Sequence, residues 1–170
     1  GDTAYESYIN TLEVIERCAQ YLEENYGKKR PVFGGAKRDS LPADQRRQKA
    51  AQLAPVLRGF CSSNVKMLGH FTDDERVLQF INSNDLDRLA PLGTSCPDHF
   101  LRTKIRPLVI PAEATDADLD KLIDEYRRDY AAYYERCKRA DSPALRDPNP
   151  VIVLLPRIGM VSLAKDKPTA

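Results

Sequence analysis

The sequence predicts a mixed α/β fold, with a small, mostly buried sheet of about three to four strands flanked by amphipathic helices. Apolar residues recur at helical spacing over 3–26 and again over 115–137, and a five-residue apolar run, Val151–Leu155, suits a strand buried on both faces. After Cys61-Ser62-Ser63 the texture changes from helical periodicity to short apolar runs punctuated by turn residues. That change divides the chain into a helical segment, 1–60, and an α/β lobe, 61–170. The 170 residues are enough to bury a substantial core, and 42% hydrophobic with 30% charged is ordinary for a globular protein. A formal net charge of +1 provides no global field to recruit nucleic acid or an anionic membrane.

The first helix is the clearest. Tyr5, Tyr8, Leu12, Ile15, Ala19, Leu22 and Tyr26 fall on one face, Thr3 and Glu6 form a capping box, and Gly27 supplies the stop. A helix that opens at the third residue leads to the expectation that this is a piece of a longer protein. The basic run Lys28, Lys29, Arg30, Lys37 and Arg38, with Gly34 and Gly35, reads either as a phosphate-binding loop or as a solvated linker. It lacks the Gly-Lys-Ser/Thr ending of a P-loop, and no apolar strand leads into it. Residues 43–60 are helical through Ala50, Leu53, Leu57 and Phe60, with Pro55 expected to bend or divide the helix.

Within the lobe, Val65, Met67 and Leu68–Phe71 read as a strand. Thr72 is expected to cap a short helix, with Glu75 three residues on and Val77, Leu78, Phe80 and Ile81 facing inward. A loop with one helical turn near Leu86–Ala90 leads to an irregular segment, 93–100, and then a strand, Ile105–Ile110. Thr115 opens the second long helix, with Asp116, Asp118 and Asp120 where the helix dipole favours acids. Its expected buried stripe is Leu119, Leu122, Tyr126, Tyr130, Tyr133 and Cys137. After a polar loop, Val151–Leu155, a turn at Pro156–Gly159 and Met160–Leu163 complete the sheet. The start, Gly1-Asp-Thr-Ala, and the finish, Lys165-Asp-Lys-Pro-Thr-Ala170, are alike enough to suggest one period of a repeat of roughly 165 residues.

Chemistry-bearing residues are sparse. Cys18, Cys61, Cys96 and Cys137 form no Cys-x-x-Cys pair and read as reduced thiols of a cytoplasmic protein. No apolar run approaches the roughly 18 residues of a membrane-spanning helix, and the N-terminus has no secretion signal. His70 and His99 form no His-x-His pair, and His70 reads as a packed structural histidine, so a self-contained zinc site is not expected. Thr94, Ser95, Asp98, His99, Arg102 and Lys104 cluster in sequence at the mouth of a strand. They read either as a pocket for phosphate or carboxylate or as a loop tied to the sheet. Cys96 beside His99 is a poor nucleophile candidate, lacking an orienting group. The tyrosines at 126, 130, 133 and 134 read as helix core with wet hydroxyls; without an interleaved basic stripe they do not form a base-stacking platform.

The string Gly93-Thr-Ser-Cys-Pro-Asp-His-Phe-Leu-Arg-Thr-Lys-Ile-Arg-Pro-Leu108 resembles a segment of the bifunctional rhamnulose-1-phosphate aldolase/short-chain dehydrogenase family. Ser142-Pro-Ala-Leu-Arg-Asp-Pro-Asn-Pro-Val-Ile-Val-Leu-Leu-Pro156, Gly159–Lys167 and the opening Gly1-Asp-Thr-Ala-Tyr-Glu-Ser-Tyr resemble it too. That resemblance implies a class II aldolase/adducin-like lobe lying between an aldolase active site and a Rossmann dehydrogenase, with residues 1–60 as the end of the preceding lobe plus a basic linker. It implies a parent enzyme with zinc in the aldolase half and NAD in the dehydrogenase half. No cofactor is expected in this segment, whose partners would be the flanking domains and further copies in a homo-oligomer, with no nucleic acid or membrane. Where a class II aldolase has histidines before the glycine of its last strand pair, this chain has Leu155-Pro-Arg-Ile-Gly159. The expected role is therefore a non-catalytic lobe of the fusion; the alternative is an adducin-like interaction or oligomerisation module.

Overall fold

The computed structural model describes residues 1–27, 31–63 and 65–170. Lys28, Lys29 and Arg30, the first part of the basic run, lie outside the described residues. Four strands form one sheet in the order β1-β4-β3-β2, with β1 at Leu68–Thr72, β2 at Leu108–Val109, β3 at Ile152–Leu155 and β4 at Gly159–Ala164. The apolar runs at the end of the sequence make an antiparallel hairpin, Ile152 opposite Ser162 and Leu155 opposite Gly159, at the centre of the sheet. β1 adds antiparallel to β4, and β2 adds parallel to β3.

Alternation along the strands assigns each face. Val153, Leu155, Val161 and Leu163 point to a core completed by α2 (Ala43–Cys61) and α6 (Asp116–Cys137). Ile152, Leu154 and Met160 point to the opposite core, completed by α3 (Glu75–Ile81) and α4 (Leu86–Leu89). Helices thus cover both faces, which is why β3 is apolar throughout and β4 is apolar but for Ser162. Each fully buried aliphatic side chain in these layers contributes about 1.5–3 kcal/mol relative to its exposed state.

Several expectations change. α2 remains helical through Pro55 and sets Ala50, Leu57 and Cys61 into the sheet core. Thr72 is taken up by pairing with Met160 in β1, so Asp74 caps α3 instead, accepting from the Val77 amide at 2.9 Å. Of the segment 93–100, expected to be irregular, residues 97–100 belong to a helix, α5 (Pro97–Thr103). The strand expected over 105–110 pairs only at Leu108 and Val109. In α6 the capping box of Thr115 and Asp118 forms, but the buried stripe is Leu119, Ile123 and Tyr126, and Cys137 is exposed.

The segment from Pro31 to Ser40 is docked rather than a free linker. Phe33 packs edge-to-face on Phe80 at 5.1 Å, Asn84 donates its amide to the Gly35 carbonyl at 2.9 Å, and Lys37 pairs with Asp87 at 2.9 Å. Positive φ at Gly34 and Gly35 lets the chain turn back along residues 82–85. By contrast, α1 (Ala4–Leu22) keeps its capping box yet buries no residue; Tyr5 is 73% and Ile15 57% exposed.

Candidate functional site

Of the six residues that the sequence brings together, only Lys104 is partly buried. Thr94, Ser95, Asp98, His99 and Arg102 are exposed, the last three on the short helix α5, and none of the six side chains bonds to another. Thr94 Oγ1 donates to the Cys96 carbonyl at 3.2 Å, closing its own turn. Cys96 is the N-cap residue of α5. Leu92 and Leu101, flanking this surface, are 72% and 64% exposed. The surface carries exposed polar and apolar side chains side by side.

Lys104 is the exception. Its backbone sits at φ 63°, ψ −173°, a region adopted essentially only by glycine. This conformation sends the side chain inward, where the ammonium donates to the carbonyls of Asp147 and Asn149 and lies 4.6 Å from the Tyr130 ring centroid. Burial lowers its pKa from 10.5 to about 8, against the opposing pull of Asp147. Around it, Arg127 donates to Asn149 Oδ1 at 2.8 Å and to the Phe60 carbonyl at 2.9 Å, and Asn149 Nδ2 donates to Ser63 Oγ at 2.8 Å. Cys61 is buried beside this network, and burial pushes its thiol up from 9.0 to about 11, outweighing the Arg127 charge. A thiol so protonated is not a nucleophile at neutral pH. Tyr126, whose hydroxyl donates to the Arg106 carbonyl at 2.9 Å, is likewise raised by burial. This network ties the α2 end to the segments entering β2 and β3; its donors are satisfied, so it acts as a lock.

The other end of the parallel pair is where open α/β sheets present ligands. The β3–β4 turn holds Arg157 at φ 70°. Its amide donates to Asn82 Oδ1 at 2.7 Å, its carbonyl accepts from the Leu41 amide at 2.9 Å, and its Nε donates to the Asp39 carbonyl at 3.1 Å. Asn82 is buried, and its Nδ2 donates to Ser40 Oγ at 2.9 Å. On the α2 side of this turn a cleft of about 240 Å³ is lined by Lys49, Gln52, Leu53, Ile110, Leu155 and Ile158. Sequence reasoning passed over Asn82, and noted Arg157 only as a departure; the signal available was an arginine before Gly159, whose Cβ would meet Phe71 Cε2 at 2.5 Å.

No group of three or more His, Cys, Asp or Glu among the described residues could hold a metal ion. His70, expected to be packed, is exposed on the edge strand β1, and His99 is exposed on α5. The residues present do not fit a zinc centre.

The profile of the family described as "Aldolase class II, second domain" matches residues 48–170. The chain belongs to this family. The match starts within α2, in keeping with the packing of α2 on the sheet. "Uncharacterized oxidoreductase YuxG" of Bacillus subtilis (strain 168) is 34% identical over 172 residues, covering 97% of this chain and 25% of that protein. The chain thus spans about a quarter of the length of the curated relative it matches. No solved structure matches it. A class II aldolase domain whose relative is a longer oxidoreductase fits a segment of a multidomain chain, with flanking domains beside it. Among the described residues no helix is long and apolar enough to cross a membrane.

Proposed function

We propose that this chain is the intermediate, non-catalytic lobe of a cytoplasmic bifunctional enzyme in which a class II sugar-phosphate aldolase is fused to a short-chain dehydrogenase. The parent cleaves rhamnulose 1-phosphate to dihydroxyacetone phosphate and lactaldehyde, then oxidises or reduces the aldehyde. Zinc belongs to the aldolase half and NAD to the dehydrogenase half. The observation that carries the reading is the pairing of a class II aldolase second domain with a relative about four times its length that is named an oxidoreductase. Two exposed histidines on separate elements support a lobe without its own metal chemistry.

Thr94, Ser95, Asp98, His99 and Arg102 then lie on an interface with a neighbouring domain, where the exposed Leu92 and Leu101 find cover, while Lys104 fixes the loop behind them. The test is His99→Ala and Arg102→Ala in the full-length protein, with aldol cleavage and aldehyde oxidoreduction assayed separately. A drop of about fivefold or more in either activity, roughly 1 kcal/mol by the logarithmic relation, is expected. Wild-type turnover and substrate binding in both variants removes the interface; absence of either activity from the unmutated parent removes the enzyme.

A second reading, an adducin-like interaction or oligomerisation module, draws on the uncovered stripe of α1. Light scattering on the eluted chain separates the two. A monomer that binds no apolar dye counts against assembly.

A further inference from the structure

The sheet ends on one side at β1, and the phase of the ladder shows which of its main-chain groups are left over. The Leu163 amide donates to the Val151 carbonyl at 2.8 Å, so Val161 and Leu163 bond to β3, while Met160, Ser162 and Ala164 turn their amides and carbonyls to β1. Their partners Thr72, His70 and Leu68 are thereby engaged. Gly69 and Phe71 face the other way, and their amides and carbonyls have no main-chain partner among the described residues.

The edge is open only there. At one end α2 closes it: the Met67 amide donates to Ser62 Oγ at 3.0 Å, and the Met67 carbonyl accepts from Arg58 Nε at 2.8 Å. At the other end Asp73 is held by Arg46 at 2.8 Å. Between them Leu68, Gly69 and His70 are exposed, and β1 carries no proline, lysine or acid of the kind that keeps an edge strand from pairing. Gly69 adds a second observation. A Cβ there would meet Val161 Cγ1 at 3.5 Å and Leu163 Cδ2 at 3.7 Å, which is ordinary contact. Packing within the chain therefore does not call for glycine, and a glycine inside a strand often marks a place where another backbone comes close.

We propose that β1 is a dimerisation edge, which pairs antiparallel with β1 of a second copy of this chain about a two-fold axis at His70. The free groups suit this occupant because they are self-complementary. Gly69 of each copy stands opposite Phe71 of the other, and the free amides and carbonyls close on one another with none left over. The same register sets the small residue against the large one and Leu68 against Thr72. It also brings exposed Lys66 up to exposed Asp74 on both sides of the axis. Only an identical strand repeats this match on both sides, and the four strands of each copy then run on as one sheet. The inference uses neither the α1 stripe nor the α5 face, and it stands whether or not the parent is the proposed fusion.

The test is sedimentation velocity of the chain over a range of concentrations. A ladder this short makes a small interface, so a monomer–dimer equilibrium with a dissociation constant on the order of 10–100 micromolar is expected. His70 faces its own copy across the axis, at about 4.5 Å between Cα atoms. His70→Glu and His70→Lys, at this exposed position, put like charges there and should each weaken the dimer by about tenfold or more. An equimolar mixture of the two variants should restore association as a heterodimer, which misfolded variants could not do. Ile15→Glu, on the α1 stripe, should leave the equilibrium unchanged. A chain that stays monomeric at about 1 mM, His70 variants that dimerise like wild type, a mixture no tighter than either variant alone, or a dimer lost in Ile15→Glu overturns the proposal.

Discussion

Raising the pH tests the Lys104 lock, with a sign fixed by the structure. The unfolded chain keeps this proton up to about pH 10.5, whereas burial makes the folded protein release it near 8. Between these values the unfolded state binds more protons, so stability increases with pH; below about 8 both states are charged and the folded state bears the full penalty. At 1.36 kcal/mol per pH unit the separation sets a ceiling of about 3 kcal/mol. Solvent at a half-buried site, together with the two carbonyls and the Tyr130 ring that favour the ammonium, reduces the expected gain to about 1–2 kcal/mol. Cys61 acts in the opposite direction. Its thiol is raised from 9.0 to about 11, so its contribution is complete below 9 and is lost as the pH climbs through 11. At most about 1 kcal/mol of the Lys104 gain falls between about pH 8 and 9, and the Cys61 loss flattens the curve above. Urea unfolding followed by circular dichroism reads the curve. In Lys104→Met, which is less stable because two carbonyls lose their donor, the rise over the same window disappears. A wild-type curve that is flat or falling there, or an identical rise in the variant, refutes the lock.

Gly93→Ala places a Cβ 1.7 Å from the Ile105 carbonyl oxygen at φ +75°. The chain after α4 must shift, and a loss of at least about 3 kcal/mol is expected from the combined strain and clash; a melting temperature within a degree of wild type contradicts it. For the thiols, a disulfide reagent should label the exposed Cys18 and Cys137 quickly and Cys61 only on unfolding. Equal labelling of all three in the folded protein would place Cys61 outside the core.

The parts of the fold legible in the sequence are those whose signals are local. Val151–Leu155 reads as a central strand because both of its faces are buried, and Thr115 with Asp118 announces the start of α6 within four residues. The misreadings come from competition. Thr72 and Asp74 are both good caps, and pairing of Thr72 with Met160, far along the chain, decides between them. Pro97 at the first helical position and Asp98 in the first turn were signals for α5, obscured by the surrounding polar loop. The tyrosines on α6 suggested a stripe turned from the real one, since Tyr130 and Tyr133 stack at the edge while Ile123 takes the centre. Longer-range links left no trace. Lys104 reaches carbonyls 43 and 45 residues away, and Arg157 is held by Asn82 across 75 residues. A basic run with two glycines looks like a linker until those glycines are seen to return the chain along residues 82–85.

α1 carries the cleanest amphipathic pattern in the sequence, yet the lobe covers none of it. Periodicity specifies that a face is to be buried, and the packing specifies against what. The core under α2 and α6 is already closed by its own side chains, with Leu57, Ile123 and Val153 fully buried. The family profile begins after α1, at residue 48, whereas the likeness to the longer oxidoreductase covers 97% of the chain. Nineteen residues are barely enough for an isolated helix to hold together in water, whatever its capping box contributes. Like Leu92 and Leu101 beside α5, the stripe of α1 is therefore left exposed, and on the proposed function both are surfaces for a neighbouring domain.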